Sequence, residues 1–461
     1  MPTSSDRVIP YLAAARCACE TVMQEAIDPA ARRKLEQVCE VLSTLTCEAK
    51  SSPELEAQAF DGFRRLLGKA PPDFQTAKAW VAGIIGSQDA PNDHATREFI
   101  RAAVAIDAEL LQSLARTLRA ECQAPRPSAK QDAPGGVPDA AALADYLCGV
   151  FGRPVEVLGI TTASLGYSKA TYLIDIRRSA ADVPQSLVIR MDRPLNLLGT
   201  TVTDEYPILT TLYENGISVP RPYALERTGA VLGQPFLIVS RVGGRNVGSH
   251  FSFPPRNAAL CRELGARLAD IHRIPVASFG AGLRGALESA EEQMTAEIAR
   301  YYADWSALGI ASPTMETAFR WIREHAHEAI GPRKLVHGDF SLSNVMISEE
   351  GTVSAILDWE FAQLGFPAAD IGWFFTSAEH LASFEEFLAA YRSAGGSPPP
   401  KKQIDFFVLW GMLRLAVMNC QVERAFEEGR MTDIRHAVVA ISFSRQQMLR
   451  VSACLGKLLA V

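Results

Sequence analysis

The sequence predicts an α+β protein in which a helical bundle comes first, a small antiparallel sheet second and a large helical region last. Three observations lead to this fold class. Apolar residues recur at helical spacing over the first 124 residues, β-branched residues alternate between residues 155 and 191, and helical spacing returns from residue 260 onward. A segment rich in proline and glycine separates the first two regions.

The composition and charge are ordinary for a globular protein and argue against several function classes. Of the 461 residues, 48% are hydrophobic and 21% are charged, and the formal net charge is −6. We therefore expect no nucleic acid and no membrane as partners, because both surfaces normally attract basic proteins. The nine cysteines include no C-x-x-C pair and the N-terminus lacks a signal-peptide pattern, so we expect a cytoplasmic location.

The first predicted domain, residues 1–124, is a bundle of four or five helices. Asp28-Pro29 and Ser52-Pro53 each place a capping side chain before a proline that suits the first turn of a new helix. Nothing in this module indicates chemistry, and we expect it to contact the rest of the chain or another chain. Residues 125–138 hold four prolines and two glycines without apolar periodicity, which predicts a linker.

The second predicted domain, residues 139–242, is a small sheet with features of a nucleotide site. Its strands are predicted at residues 155–158, 171–176 and 186–191. The turn between the first two strands contains Ser164, Gly166 and Ser168, whose backbone N–H and hydroxyl groups suit phosphate oxygens. A hairpin with one glycine is common, however, so an ordinary turn is the alternative interpretation.

A cation and a carboxylate follow this turn. Arg190 ends the third strand, where it can reach the phosphates of a nucleotide, and Glu205 lies in the first turn of the next predicted helix. Glu205 either forms an ion pair that fixes Arg190 or only favours the helix N-terminus, as acidic residues do. Further on, a strand from Pro235 runs into Gly243-Gly244, a junction suited to connecting two lobes and to offering backbone groups to an adenine.

The chemically most specific stretch runs from His337 to Glu360, within a third predicted domain of residues 243–461. It contains Asp339, then Asn344 five residues on, and Asp358 beyond a predicted hairpin. Phosphoryl transfer needs one carboxylate to orient the attacking hydroxyl, and an amide oxygen and a second carboxylate to hold magnesium on the phosphates. The alternative, in which all three residues only cap turns, is disfavoured because the complete pattern is rare.

Together these features resemble the aminoglycoside phosphotransferase family, a branch of the protein-kinase-like fold, over roughly residues 140–460. The resemblance rests on His-Gly-Asp-x5-Asn and the following Leu-Asp-Trp-Glu. It implies a bilobal fold, with a small antiparallel-sheet lobe and a large helical lobe, and ATP and Mg²⁺ as cofactors. It also implies that Asp339 accepts the proton of the substrate hydroxyl and that Asn344 and Asp358 hold the metal. The remaining matches are Ser164, Gly166 and Ser168 with the phosphate-covering loop, Ser240 to Val242 with the hinge, and Asp370 with the aspartate that braces the catalytic loop.

One departure from the family pattern is Arg190, which stands where the family has a strand lysine. Arginine pairs bidentately with phosphate or carboxylate, so its geometry differs from that of lysine. An arginine here is similar to the branch of the family that acts on hydroxyacyl-CoA thioesters, some members of which are fused to acyl-CoA dehydrogenases. That branch implies a hydroxyacyl group or a hydroxyacyl-CoA as acceptor. The first 125 residues resemble the small helical companion protein with which such kinases can work.

Two other functions stay open at this point. One is phosphorylation of an aminoglycoside or another hydroxylated antibiotic, although the polar residues of the C-terminal helices do not form the acidic wall that a polycation favours. The other is a catalytically silent kinase fold that binds a partner, against which the intact set of Asp339, Asn344 and Asp358 speaks. We therefore favour an ATP- and Mg-dependent phosphotransferase that acts on a hydroxyl of a small molecule.

Overall fold

The structure is a computed structural model, and it describes most but not all of the chain. The described residues are 29–87, 93–121, 138–163, 169–177, 183–193, 199–246, 255–280, 283–378, 380–428 and 443–459, with a few isolated positions besides. The predicted phosphate-covering residues Ser164, Gly166 and Ser168 lie outside the described residues, and so does the predicted linker up to Val137.

Twelve α-helices and ten strands occur within these ranges. The helices are α1 (Pro29–Leu67), α2 (Phe74–Gly86), α3 (His94–Glu121), α4 (Ala140–Phe151), α5 (Val202–Glu214), α6 (Ala258–Arg273), α7 (Ala290–Leu308), α8 (Pro313–Glu324), α9 (Pro367–Ala378), α10 (Phe384–Ser393), α11 (Lys401–Glu427) and α12 (Ser444–Leu459). The strands are β1 (Glu156–Thr162), β2 (Lys169–Arg177), β3 (Ser186–Asp192), β4 (Pro222–Glu226), β5 (Phe236–Ser240), β6 (Arg245–Asn246), β7 (Lys334–Val336), β8 (Val345–Ile347), β9 (Val353–Ile356) and β10 (Gln363–Gly365).

The described residues divide into two compact units, each built from segments that are distant in sequence. The first unit takes in residues up to 129 together with 295–327 and 409–461. The second unit takes in residues 130–294 and 328–408, and it contains every strand. The domain boundaries predicted from the sequence remain predictions.

The helical character predicted for the N-terminal region is confirmed, with one difference in detail. Ser52-Pro53 does not begin a new helix, because α1 runs from Pro29 to Leu67 with Pro53 inside it. Val38 and Leu45 are 7 residues apart and Ala59 follows 14 residues later, so these residues lie on one face of a continuous helix. Pro53 is exposed, and the apolar stripe continues on both sides of it, so burial of that stripe outweighs the hydrogen bond that Pro53 cannot make.

Helices α1, α2 and α3 share a core with Phe63, Ala77, Val81 and Ala103 at its centre. Helices α2 and α3 also pack against α8, and α12 packs against both α3 and α8. The first unit is thus a helical assembly to which the first and the last parts of the chain both contribute.

A fully buried carboxylate, that of Asp107 on α3, connects this core to the start of α8. Its Oδ2 accepts hydrogen bonds from the hydroxyl of Thr314 at 2.7 Å and from the backbone N–H of the same residue at 3.3 Å. The hydroxyl of Ser312, the N-cap residue of α8, donates to Oδ2 at 3.3 Å, and the ammonium of Lys78 on α2 lies 3.2 Å from Oδ1. One side chain therefore joins three helices and places a negative charge at a helix N-terminus, where it is stabilising.

The second unit contains a five-stranded antiparallel sheet in the order β1-β2-β3-β5-β4. Successive side chains of strand β2 point to opposite faces of the sheet. On one face Tyr172, Ile174 and Ile176 are buried in the sheet's own hydrophobic core. In the register of β2 and β3, Lys169 pairs with Asp192 and Thr171 pairs with Arg190. All four side chains therefore lie on the other face of the sheet, away from this core. Helix α5 begins after a capping box formed by Thr201 and Asp204.

Two smaller antiparallel sheets carry the predicted catalytic stretch. Strands β6, β8 and β9 form one, and β7 and β10 form the other. Strands β8 and β9 are the predicted hairpin, and Gly351 in their turn has φ +86°, a conformation that favours glycine. The hairpin predicted between Asn344 and Asp358 is therefore present.

Helix α11 contains a segment, Lys401–Ala425, that is long and apolar enough to cross a membrane on length and composition alone. Of its most apolar window, 61% is buried inside the structure, as in the core helix of a globular protein.

Replacing Asp107 with alanine is expected to lower the free energy of unfolding by about 3 kcal/mol, because it leaves Lys78 and the first turn of α8 without their buried partner. Urea unfolding followed by circular dichroism measures this change. The control is Glu98→Ala on the same helix, which removes an exposed pair with Arg101 and should cost less than about 0.5 kcal/mol. A loss for Asp107→Ala no larger than that of the control would contradict the role assigned to Asp107.

Candidate active site

The candidate site begins where β7 ends, at a backbone held by Asp370. The carboxylate of Asp370 is fully buried and accepts hydrogen bonds from the N–H of His337 at 2.7 Å and from the N–H of Gly338 at 2.8 Å. Gly338 has φ +81°, and a Cβ there would lie 2.5 Å from the carbonyl oxygen of Phe361. Only glycine fits this position, so Asp370 and Gly338 together fix the direction in which the following residue leaves the strand.

Asp339 and Asn344, which the sequence pattern places five residues apart, are in direct contact. The amide nitrogen of Asn344 donates to the carboxylate Oδ2 of Asp339 at 2.8 Å and to its backbone carbonyl at 2.9 Å. These two bonds use both amide hydrogens, so the amide oxygen of Asn344 is its group suited to a cation. The other carboxylate oxygen of Asp339 accepts from the indole N–H of Trp373 at 2.6 Å. Trp373 is a site residue that the sequence analysis did not identify.

The hairpin brings Asp358 to the same place. The N–H of Leu357 donates to the carbonyl of Asn344 at 2.8 Å, and the ring Nε2 of His337 lies 2.9 Å from the carbonyl of Leu357. Asp358 has φ +67° and ψ +64°, and it is the one non-glycine residue with positive φ among those the structure describes. Backbone strain of this kind typically costs about 1–3 kcal/mol and tends to occur at functional positions.

Arg190 joins Asp358 to helix α5. Its Nη2 lies 2.6 Å from Oδ1 of Asp358, and its Nε lies 3.3 Å from Oε2 of Glu205, whose side chain is only 1% exposed. Asp204 provides the capping interaction at the N-terminus of α5. Glu205 is therefore an ion-pair partner of Arg190, which is the first of the two interpretations that the sequence left open.

A second cation, Lys169, occupies the same face of the sheet, and the sequence analysis did not identify it. Its ammonium lies 3.1 Å from Oδ1 of Asp192 and 3.8 Å from Oε2 of Glu360, and it donates a hydrogen bond to the carbonyl of Thr200. The hydroxyl of Thr200 in turn donates to Oε2 of Glu360 at 3.1 Å. Lys169 could have been found from the period of β2, because it falls on the face that Arg190 shares and not on the apolar face.

These side chains form what we call the charged cluster. Its members are Lys169, Arg190, Asp192, Glu205, Asp358 and Glu360. Burial, together with the neighbouring charge of Asp358, raises the pKa of Glu360 to about 7. Burial also raises the pKa of Glu205, whereas the pKa of Arg190 is raised because Glu205 and Asp358 outweigh the effect of its burial. When all members are ionised, four carboxylates face two cations.

The residues at hand fit a magnesium ion. The carboxylate of Asp358 and the amide oxygen of Asn344 are ligands that Mg²⁺ prefers, and a divalent cation would offset the excess of negative charge that the charged cluster has when all its members are ionised. Within the described ranges there is no group of three or more His, Cys, Asp or Glu side chains placed to hold a metal. That is the expected situation for Mg²⁺ in phosphoryl transfer, since it takes most of its ligands from phosphates and water.

The predicted hinge residues lie apart from the charged cluster. Ser240 ends β5 and pairs with Leu187, three residues before Arg190 on β3, which is about 10 Å along the strand. The N–H and the hydroxyl of Ser240 both bond to the backbone of Arg221. Val242 follows in the connection from β5 to β6, and β6 pairs with β8 of the second sheet. Ser240 and Val242 thus link the two sheets, as a hinge requires.

Replacing Arg190 with methionine is expected to lower the free energy of unfolding by about 3–5 kcal/mol, because it leaves Glu205 buried without a cation. In the double variant Arg190→Met/Glu205→Gln the loss should be clearly smaller, since the stranded charge is gone. Urea unfolding measures both, with Arg177→Met as control because Arg177 forms an exposed pair with Glu156. The single variant Glu205→Gln is measured as well, and a double variant as unstable as the sum of Arg190→Met and Glu205→Gln would refute the pairing.

Solved structures of known proteins share this fold. A candidate aminoglycoside phosphotransferase from Ralstonia eutropha JMP134 superimposes with a TM-score of 0.54 at 20% identity, over 69% of this chain and 98% of that one. A spectinomycin phosphotransferase, solved with ADP and spectinomycin, gives a TM-score of 0.50 at 14% identity, over 68% of this chain and 98% of that one. These likenesses confirm the predicted protein-kinase-like fold class.

Curated relatives are also found among proteins named as acyl-CoA dehydrogenase family members. Acyl-CoA dehydrogenase family member 11 of Rattus norvegicus is 24% identical over 302 residues, which cover 60% of this chain and 38% of the rat protein. Acyl-CoA dehydrogenase family member 10 of Mus musculus is 28% identical over 247 residues, which cover 50% of this chain and 22% of the mouse protein. The match thus spans well under half the length of either relative.

More than half of the chain matches the model of one protein family. The model of the phosphotransferase enzyme family, which comprises the aminoglycoside phosphotransferases and their relatives, matches residues 159–405, more than half of the chain. This span includes the five-stranded sheet from β1 onward, the charged cluster, the catalytic stretch and the hairpin. The chain therefore belongs to the phosphotransferase enzyme family.

Proposed function

We propose that this protein uses ATP and Mg²⁺ to phosphorylate a hydroxyl of a hydroxyacyl group, either free or as its CoA thioester. The observation that carries the proposal is the convergence of Asp339, Asn344 and Asp358 on one hairpin, with Asp339 held from both sides. The use of a nucleotide is supported by the ADP bound in the structurally similar spectinomycin phosphotransferase.

Asp339 is the group that orients and deprotonates the acceptor hydroxyl. One of its carboxylate oxygens accepts a hydrogen bond from Trp373 and the other accepts one from Asn344, so both neighbours fix the orientation of the carboxylate toward a hydroxyl. Because the carboxylate is already fixed in one orientation, it loses little conformational entropy when the substrate binds. This favours in-line attack of the hydroxyl on the γ-phosphoryl group. Proton acceptance by a positioned carboxylate typically accelerates such a step by about 10²–10⁴-fold.

The nucleotide is held by groups on the sheet and the hairpin. Arg190 uses part of its five-donor guanidinium on Asp358 and Glu205, and its remaining N–H groups are available to phosphate oxygens. Asn344 and Asp358 would hold Mg²⁺, which neutralises charge on the phosphates when bound. Ser164, Gly166 and Ser168 are proposed to cover the phosphates, and Ser240 and Val242 to border the adenine.

The acceptor proposal rests on Arg190, whose presence in place of a strand lysine resembles the branch of the family that acts on hydroxyacyl-CoA thioesters. The aromatic residues next to Asp339 do not enter this argument, because Phe340, Phe374 and Phe387 are fully buried and pack on one another. The curated relatives support this choice, because their names are those of acyl-CoA dehydrogenases.

A hydroxylated antibiotic is the second candidate acceptor. The structural neighbours with TM-scores of 0.54 and 0.50 are a candidate aminoglycoside phosphotransferase and a spectinomycin phosphotransferase. Release of ADP in the presence of hydroxyacyl-CoAs, free hydroxy acids, aminoglycosides and spectinomycin separates the two candidates. Turnover with hydroxyacyl compounds and none with the antibiotics is the expected result, and the reverse pattern would refute the acyl proposal.

Asp339→Asn is expected to reduce kcat by at least about 10²-fold, because an amide cannot accept the proton of the hydroxyl. The dissociation constant for Mg·ATP, measured by titration calorimetry, should stay within about twofold of the wild-type value. Asp405→Asn, an exchange on the exposed part of α11, is the control for the substitution itself. If Asp339→Asn keeps wild-type turnover with a true acceptor, the assignment of Asp339 is wrong.

Trp373→Phe is expected to lower kcat by about 10–100-fold, because it removes a hydrogen bond to a carboxylate that is worth about 1.5–3 kcal/mol. The aromatic ring stays, so KM for the acceptor should change much less than kcat. Trp410→Phe is a matched control, since the indole N–H of Trp410 is buried and has no partner within the described residues. Equal effects of the two exchanges would show that the hydrogen bond to Asp339 is without consequence.

A further inference from the structure

Lys169 is a buried lysine for which the catalytic roles above leave no task. It is the first residue of β2, and only 2% of its side chain is exposed. Burying an ammonium group is costly, and an apolar side chain of similar size is often as good or better for stability. A lysine at this position therefore suggests that the site needs its charge.

The partners of Lys169 come from three separate elements. Asp192 belongs to β3, Thr200 precedes α5, and Glu360 follows Asp358 in a single turn of 3₁₀ helix. The ammonium group donates a hydrogen bond to the carbonyl of Thr200 and forms ion pairs with Asp192 at 3.1 Å and with Glu360 at 3.8 Å. The Nζ atom of Lys169 therefore contacts the sheet, the segment before α5 and the Asp-Trp-Glu segment.

Each acidic residue of the Asp-Trp-Glu segment forms an ion pair with a cation of the sheet. Arg190 lies 2.6 Å from Asp358, and Lys169 lies 3.8 Å from Glu360. The charge of Glu360 also acts on Arg190, which already faces Glu205 and Asp358. Without Lys169, three carboxylates would compete for the one guanidinium, and the position of Asp358 would no longer be defined by its own partner.

We propose that Lys169 is a positioning residue of the metal–nucleotide site, which holds Glu360 against the sheet and thereby keeps Asp358 in place for Mg²⁺. This role rests on the proposed function, because it assumes that Asp358 is a metal ligand. Lys169 also directly follows Ser168, the last residue of the predicted phosphate-covering loop. Lys169, which we propose to position the segment of Asp358, is thus also the first residue of β2 after that loop.

The test is a double-mutant cycle between Lys169 and Glu360, read out as the Mg²⁺ dependence of ATP binding. Titration calorimetry gives the Mg²⁺ concentration at half-maximal ATP affinity for the wild type, Lys169→Met, Glu360→Gln and the double variant. Lys169→Met should raise that concentration about tenfold and leave ATP binding without metal within twofold. In the Glu360→Gln background the same exchange should have little further effect, because the partner is already gone.

The conservative and the control variants separate this role from a general loss of structure. Lys169→Arg keeps the charge with a different shape, so we expect it to fold and to raise the half-maximal Mg²⁺ concentration only about threefold. If Lys169→Met does not fold, the cycle is run with Lys169→Arg, whose effect should vanish when Glu360 is glutamine. Arg177→Met, at the exposed far end of the same strand, should match the wild type.

The outcomes distinguish the inference from the proposed function. An unchanged Mg²⁺ dependence in Lys169→Met, or additive effects of the Lys169 and Glu360 exchanges, overturns the role of Lys169 and leaves the proposed function standing. Failure of the wild-type protein to bind ATP with Mg²⁺ overturns the proposed function and this role with it. Coupled effects on the Mg²⁺ dependence, with wild-type binding intact, support both.

Discussion

The contact between Arg190 and Asp358 is the interaction on which the rest of the site depends. Asp358 has an unfavourable backbone conformation and a carboxylate that lies among other acids, and Arg190 offsets both by bonding to it at 2.6 Å. Because Arg190 also contacts Glu205 on α5, the position of that helix is linked to the segment that contains Asp358. A lysine has only one nitrogen for these two carboxylates and a phosphate, whereas a guanidinium has three.

Hydrogen bonds to the backbone hold the segment around Asp339. The carboxylate of Asp370 accepts from the N–H groups of His337 and Gly338, and the carbonyl of Asn344 accepts from the N–H of Leu357 after the hairpin. A main-chain hydrogen bond therefore joins the segment that contains Asn344 to the segment that contains Asp358. Side chains such as Trp373 then set the orientation of one carboxylate on a support that is already rigid.

Residues close together in sequence were predicted well, because local spacing alone places them. Asp339, Asn344 and Asp358 flank one hairpin, and the turn at Gly351 is visible in the sequence. Lys169 and Trp373 escaped prediction for a different reason. Their partners lie 191 and 34 residues away, at Glu360 and Asp339, and only the strand register and the packing of α9 bring them together. Pro53 is a further example. Ser52-Pro53 predicted a helix start from local sequence alone, but the apolar stripe of a longer helix continues past it.

The left-handed backbone of Asp358 restricts which amino acids evolution can place there. Asparagine tolerates the conformation but lacks the charge that Arg190 and a metal would bind, and glycine tolerates it but brings no ligand at all. Glutamate keeps the charge but is less easily accommodated at positive φ and is one methylene longer. Each of these three substitutions loses either the carboxylate or the tolerance of positive φ. We therefore expect aspartate to be replaced more slowly at this position than residues that serve the fold alone.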